Sequence, residues 1–134
     1  MHIACFDDLL LAASEQPEAQ RLLFVLTRAE LPDDATPAQR AAFEAGEGGA
    51  LVPAACVDRA AGELASFAAF LAEAQPFCPD WVIVFAASLP GQPGLPPSTE
   101  MAQGPLEQMV AAIKAGQIGA FLAFDRTGTA IHLG

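Results

Sequence analysis

The sequence predicts an α/β domain, with an α+β arrangement as the second reading. Short apolar runs at 22–26, 50–57, 81–89 and 120–124 have strand length. Stretches with helical periodicity precede and separate them, and Gly- or Pro-containing breaks punctuate the two patterns. The order α-β-α-β-α-β-α-β-β implies a mixed sheet of four to five strands, about four helices on its faces and a C-terminal β-hairpin. At 134 residues the chain reads as a single domain, 1–134. That length buries roughly two-thirds of the unfolded surface, so neither disulfide nor metal is needed to hold the fold.

Phe6, Leu9, Leu10 and Ala13 recur at helical spacing, which predicts a helix over 6–16. Asp7 and Asp8 suit the positive end of its dipole, and Pro17 stops it. In the run 22–26 both faces are apolar, so that strand is central and covered on both sides. After the loop 29–35, Thr36 is a good N-cap, Pro37 fits the first helical position and Gln39 completes a capping box. This helix ends near Ala45, with Gly46 as its C′ residue. The strand 50–57 contains Pro53, which cannot donate to a ladder, so it is an edge strand or carries a bulge.

The clearest helical phase spans 62–75, with Leu64, Phe67, Ala68 and Leu71 on one face. The strongest strand follows at 81–89. Residues 88–99 hold four prolines and two glycines and read as one long loop at the carboxyl end of that strand, where α/β sheets place ligands. A last helix is expected over 105–115, closed by Gly116. The runs 120–124 and 129–133 flank Asp125-Arg126-Thr127-Gly128 as a hairpin, with Asp125 in a turn role and Gly128 available for positive φ.

Apolar residues make up 53% of the chain and charged residues 16%, against about 25% in an ordinary domain. The surplus suggests an apolar face that meets another copy or a partner. The net charge is −10, and Arg21, Arg28, Arg40, Arg59, Lys114 and Arg126 are dispersed singly. Nucleic acid and anionic membrane are therefore not expected partners. Asp7 and Asp8 stand where a secretory signal would be basic, no run approaches a bilayer span, and Cys5, Cys56 and Cys78 are an odd, unpaired set. A cytoplasmic protein with reduced thiols is expected.

Little in the sequence does chemistry. His2 and His132 lie at opposite termini and no pair has ligand spacing, so no metal or cofactor is expected. Strand alternation places Cys56 and Asp58 on one face and Arg59 on the other, an arrangement that raises the thiol pKa, and Cys56 is expected as a small core residue. Cys78, between Phe77 and Pro79, is expected to be inert. Ser88 follows a strand without the glycines or histidine of a nucleophile elbow. The glycine-rich stretch 46–49 precedes a strand rather than a helix and reads as a turn. Glu30, Asp33 and Asp34 read as a solvated loop face.

The segments FDDLL (6–10), QRLLFVL (20–26), AELPDDATPAQ (29–39), GGALVPAACVD (49–58), WVIVFAASLPG (81–91) and PLEQMVAAIKAGQIGAFLAFDR (105–126) cover nearly the whole chain. In them the sequence resembles a small proteobacterial family of about this length whose members are often labelled ribonucleotide reductase subunit alpha. The resemblance implies no catalytic residues. A catalytic subunit with that name is a large barrel with several redox cysteines, which three scattered Cys cannot supply.

The apolar surplus, Pro53 and the hairpin all leave faces or edges to pair. The expected function is a non-catalytic association module, self-associating as a homodimer or binding a protein partner. The alternative is a small-molecule-binding protein or small enzyme, with a site at the strand carboxyl ends near Arg28, Cys56, Asp58, Ser88 and the 88–99 loop.

Overall fold

The computed structural model describes residues 2–45 and 49–132, and the elements run α1 (Phe6–Ser14), β1 (Gln20–Glu30), α2 (Pro37–Glu44), β2 (Ala50–Ala60), a 3₁₀ turn (Ala61–Glu63), α3 (Phe67–Ala74), β3 (Ile83–Pro90), α4 (Thr99–Lys114), β4 (Leu122–Phe124) and β5 (Ala130–Ile131). Among the described residues the class is mixed α/β, with four helices, five strands and the C-terminal β4–β5 hairpin. The strand order is β2-β1-β3-β4-β5, and every pair is antiparallel where a mixed sheet was expected. Hydrophobic periodicity reports which residues are buried, not the direction of the neighbouring strand.

β1 lies between β2 and β3, with residues 22–27 all buried, as the two-faced apolar run required. Even-numbered Leu22, Phe24 and Leu26 enter the layer formed by α1 and α3. Odd-numbered Leu23 and Val25 enter the layer formed by α4. The first layer is aromatic: Phe6 sits 5.4 Å from Phe24, 4.9 Å from Phe70 and 5.4 Å from Phe124, ring centre to ring centre. Trp81 closes it, with the Arg126 guanidinium 4.7 Å above its ring. The second layer is aliphatic and smaller, built from Ala102, Leu106, Met109 and Ile113 of α4 against Leu23, Val25, Phe85 and Ala123.

β2 is an edge strand and is also bulged. Leu26 pairs with Ala55 but Thr27 pairs with Pro53, so Ala54 is the extra residue. The capping box of α2 forms as expected: Gln39 N–H donates to Thr36 Oγ1 at 3.1 Å and Thr36 N–H to Gln39 Oε1 at 2.8 Å. No residue of α2 is buried, so caps rather than packing sustain it. The expected C′ residue Gly46, with Glu47 and Gly48, lies outside the described residues.

Two helix starts differ from expectation. The stretch 62–75 divides into the 3₁₀ turn, an extended Leu64 and then α3, whose cap is Ser66. Ser66 Oγ accepts from Ala69 N–H at 3.1 Å, and Asp7 Oδ1 of α1 accepts from Phe67 N–H at 2.9 Å. A carboxylate on another helix thus sets where α3 begins. α4 starts at Thr99 instead of 105, capped by Ser98 on Met101 N–H at 3.2 Å, with Pro105 in its interior. The loop after β3 therefore shrinks to 91–98. It is tied down: Gln92 and Leu95 exchange N–H···O bonds of 2.9 and 3.0 Å, and Gln92 O accepts from Ala19 N–H. Trp81 precedes β3 yet is buried. Asp125 Oδ1 accepts from the Thr127 hydroxyl and from Thr127 and Thr129 N–H, which together hold its carboxyl below the ordinary range, and Gly128 has φ +82°. Among the described residues no helix is long and apolar enough to cross a membrane.

Candidate functional site

Of the four expected site residues, the fold brings two together. Cys56 and Asp58 share the α4 side of β2 and line one cleft of about 350 Å³ with Gln103, Leu106, Glu107 and Val110. Arg28 is exposed near the carboxyl end of β1, its Nη1 3.5 Å from Asp80. β1 and β2 run antiparallel, so their carboxyl ends lie at opposite ends of the sheet. The register places Arg28 about 20 Å along β1 from Leu22, the residue opposite Ser88. Ser88 Oγ bonds Gln20 Oε1 at 2.5 Å on the other face of the sheet from Cys56. The rule that ligands gather at strand carboxyl ends belongs to parallel sheets and finds no single rim here.

Beside the cleft is the most connected polar cluster. Arg21 Nε donates to Asp58 Oδ2 at 2.6 Å, its Nη2 to Thr99 Oγ1 at 2.7 Å and its Nη1 to Pro97 O at 3.3 Å. Thr99 Oγ1 in turn donates to Asp58 Oδ2 at 2.8 Å. Both charged side chains are mostly buried, at 13% and 14% exposure. Burial alone would raise the Asp58 carboxyl. The Arg21 and Thr99 hydrogen bonds and the charges of Arg21 and Arg59 outweigh it and hold the carboxyl below its ordinary value. One guanidinium therefore clamps β1, β2, the 91–98 loop and the first residue of α4. Asp58 is committed to that clamp.

Cys56 is exposed, not the core residue expected, because it lies on the sheet edge at the margin of α4. Burial of its sulfur side nevertheless pushes the thiol up, away from the reactive thiolate. Cys78 is buried and its thiol is likewise raised, first by burial and then by Asp80. Among the described residues no three His, Cys, Asp or Glu side chains gather as a metal site. A cavity of about 410 Å³ between α1, the 3₁₀ turn and the 91–98 loop is lined mainly by small residues such as Ala13, Ala60, Ala61 and Gly62, with Glu18 and Glu63 as its charged groups.

The edge of β2 is more informative than any cavity. In an antiparallel strand, successive residues turn their N–H and C=O to opposite sides. Thr27 O accepts from Val82 N–H, so the odd residues of β1 address β3 and the even ones address β2. The even residues pair with Ala55, Val57 and Arg59. Cys56, Asp58 and Ala60 therefore turn their backbone groups outward. Across the bulge the parity shifts, and Pro53 also faces outward, opposite Thr27. Its missing N–H thus falls on the free edge and costs no ladder bond. Side chains of the same chain occupy part of this edge: Glu63 Oε1 accepts from Ala60 N–H at 2.8 Å, and Arg59 Nη1 donates to Asp58 O at 2.7 Å. What stays open among the described residues is a short window at Cys56 and Asp58 and, beyond the bulge, Leu51 and the Pro53 carbonyl.

Arg21 and Thr99 escaped the sequence reading because each has its partners far along the chain. The one available signal was a single arginine opening an apolar strand, where a buried charge calls for a carboxylate. Comparisons with protein families, characterised proteins and solved structures give no match.

Proposed function

We propose that this protein is a non-catalytic association module that pairs with a second copy through the edge of β2. The observation that carries the reading is that its 11-residue β2 lies at the edge of the sheet, with eight of those residues half-buried and a window of unpaired backbone groups. The opposite edge strand, β5, has two residues. Large exposed apolar side chains sit singly on separate elements (Leu11, Phe77, Leu95, Met101 and Leu122), which favours edge pairing over a broad greasy patch. The free cysteines support a reducing compartment, the cytosol.

A short edge contact belongs to the small, transient class of interfaces, below about 1,200 Å². Light scattering after size exclusion should therefore show the average mass climbing toward twice the monomer as concentration passes ~100 μM. Cys56→Pro removes one outward donor, as Pro53 already does, without touching the β1 ladder. It should remain folded by circular dichroism and stay monomeric. A wild-type chain that is still monomeric at roughly 500 μM overturns the proposal.

The cleft at Cys56 favours a second reading, since about 350 Å³ lies within the range of small-ligand sites. Its polar groups outside the clamp are Glu107 and Gln103, whose Nε2 donates to Thr99 O at 3.4 Å. A thermal-shift screen in which a small molecule stabilises the wild type but not Gln103→Ala would support that reading over pure association.

A further inference from the structure

We infer that the second copy joins β2 in a single register, antiparallel, with the molecular two-fold axis at Val57; this rests on the self-association proposed above. A two-fold axis relating two edge-paired antiparallel strands stands perpendicular to the sheet. It keeps the α4 layers of both copies on one side, so facing residues share a face and the axis passes through a residue position. The open window then chooses which position. With the axis at Val57, Cys56 faces Asp58 of the second copy and Asp58 faces its Cys56. All four residues turn their backbone groups outward, and two such pairs make four N–H···O bonds. Asp58 O keeps a second lone pair beside the Arg59 contact.

The neighbouring registers use the edge less well. An axis at Cys56 sets Asp58 against Ala54, the bulged residue. An axis at Asp58 opposes two carboxylates and sets Cys56 against Ala60, whose N–H already serves Glu63. With the axis at Val57 the next pairs are Ala55 with Arg59 of the second copy, and no like charges meet. This matters in a chain of net charge −10, whose copies repel in general. Between Ala50 and Ala60 the charged residues are Asp58 and Arg59 alone, and both are ion-paired, with Arg21 and Glu73. The β2 edge is thus a neutral window on an acidic surface, suited to a second copy of itself.

Cysteine cross-linking reads the register. In a Cys56→Ser background, Val57→Cys places two thiols directly across the axis, where Cα atoms lie about 4.5 Å apart, and mild oxidation should give a covalent dimer. Ala55→Cys in the same background should not cross-link. Position 57 is packed in the core, so the wild-type chain supplies a second measurement. Its Cys56 thiols lie diagonal to each other, about 7–8 Å apart at Cα. A short bismaleimide should bridge them, while oxidation alone should not. A dimer whose Cys56 residues oxidise directly, whose Ala55→Cys variant cross-links, or whose Cys56 resists the bismaleimide overturns the register and leaves association standing. A chain that never dimerises overturns both.

Discussion

The two faces of the sheet are built differently. The α1/α3 face carries Phe6, Phe24, Phe67, Phe70, Phe124 and Trp81 in one aromatic cluster, with the extended Leu64 buried in the same layer. The α4 face has one helix, smaller side chains and clefts of roughly 320–350 Å³ on either side of it. A single helix about 10 Å wide cannot roof five strands spaced ~4.8 Å apart. The first face supplies dense apolar burial. The second is positioned at one end by a polar clamp and borders the open β2 edge. Dense apolar burial and polar positioning are thus assigned to opposite sides of one sheet.

The largest expected effect tests that assignment. Phe6 is fully buried and touches four other aromatic rings. Phe6→Ala should cost about 3–5 kcal/mol of unfolding free energy in urea. Met109 of α4 is also buried, but it borders a cleft into which neighbours can relax. Met109→Ala should fall near the low end for its type, about 2 kcal/mol. Equal losses at the two sites would dissolve the contrast between the faces.

The clamp comes next. Arg21→Met leaves Asp58 mostly buried without its cation and frees Pro97 O and Thr99. A loss of about 1.5–3 kcal/mol at neutral pH is expected, as for hydrogen bonds to charged groups. The pH dependence identifies the cause. Asp58 is held lower in the folded chain than in the unfolded one, so the native state favours its ionised form. That stabilisation is complete above the unfolded value near 3.9 and drains away as pH falls through the lower folded value. The wild type should therefore lose stability below about pH 4 more steeply than Arg21→Met. Parallel acid curves would show that Arg21 acts through packing alone.

What could be read from the sequence followed how local each cause is. β1 was legible because an apolar run on both faces has one interpretation. The start of α2 was legible because Thr36 and Gln39 sit within one turn, and Pro53 announced an edge or bulge because its missing donor is a property of the residue itself. The starts of α3 and α4 were not. Gly62 and Leu64 keep helical phase, but Asp7, 60 residues away, caps the helix further on. Pro105 looked like a helix start, yet α4 carries it internally after the Ser98 cap. The candidate site divided in the same way. Alternation alone joined Cys56 to Asp58. The clamp required Arg21 to meet Thr99 across 78 residues, and the open window at Cys56 and Asp58 emerges only from the register against β1.

The smallest expected effect concerns how the β2 edge is limited. Glu63 is exposed and accepts the outward N–H of Ala60 at 2.8 Å, with Arg21 Nη1 3.9 Å away. In the proposed dimer that bond would end the pairing at Asp58. Glu63→Ala frees the N–H to reach Ala54 of the second copy. Ala54 lies in the bulge, so at most one further bond forms on each side of the two-fold axis, two in all, together worth about 1–2 kcal/mol net. The dimer should tighten roughly five- to thirty-fold by sedimentation equilibrium, in proportion to that energy. Glu63→Gln keeps an acceptor oxygen and should leave the affinity where it was. If both substitutions weaken pairing equally, Glu63 supports the edge through its charge rather than shielding it, and the open window would have to extend beyond Asp58 in the native chain.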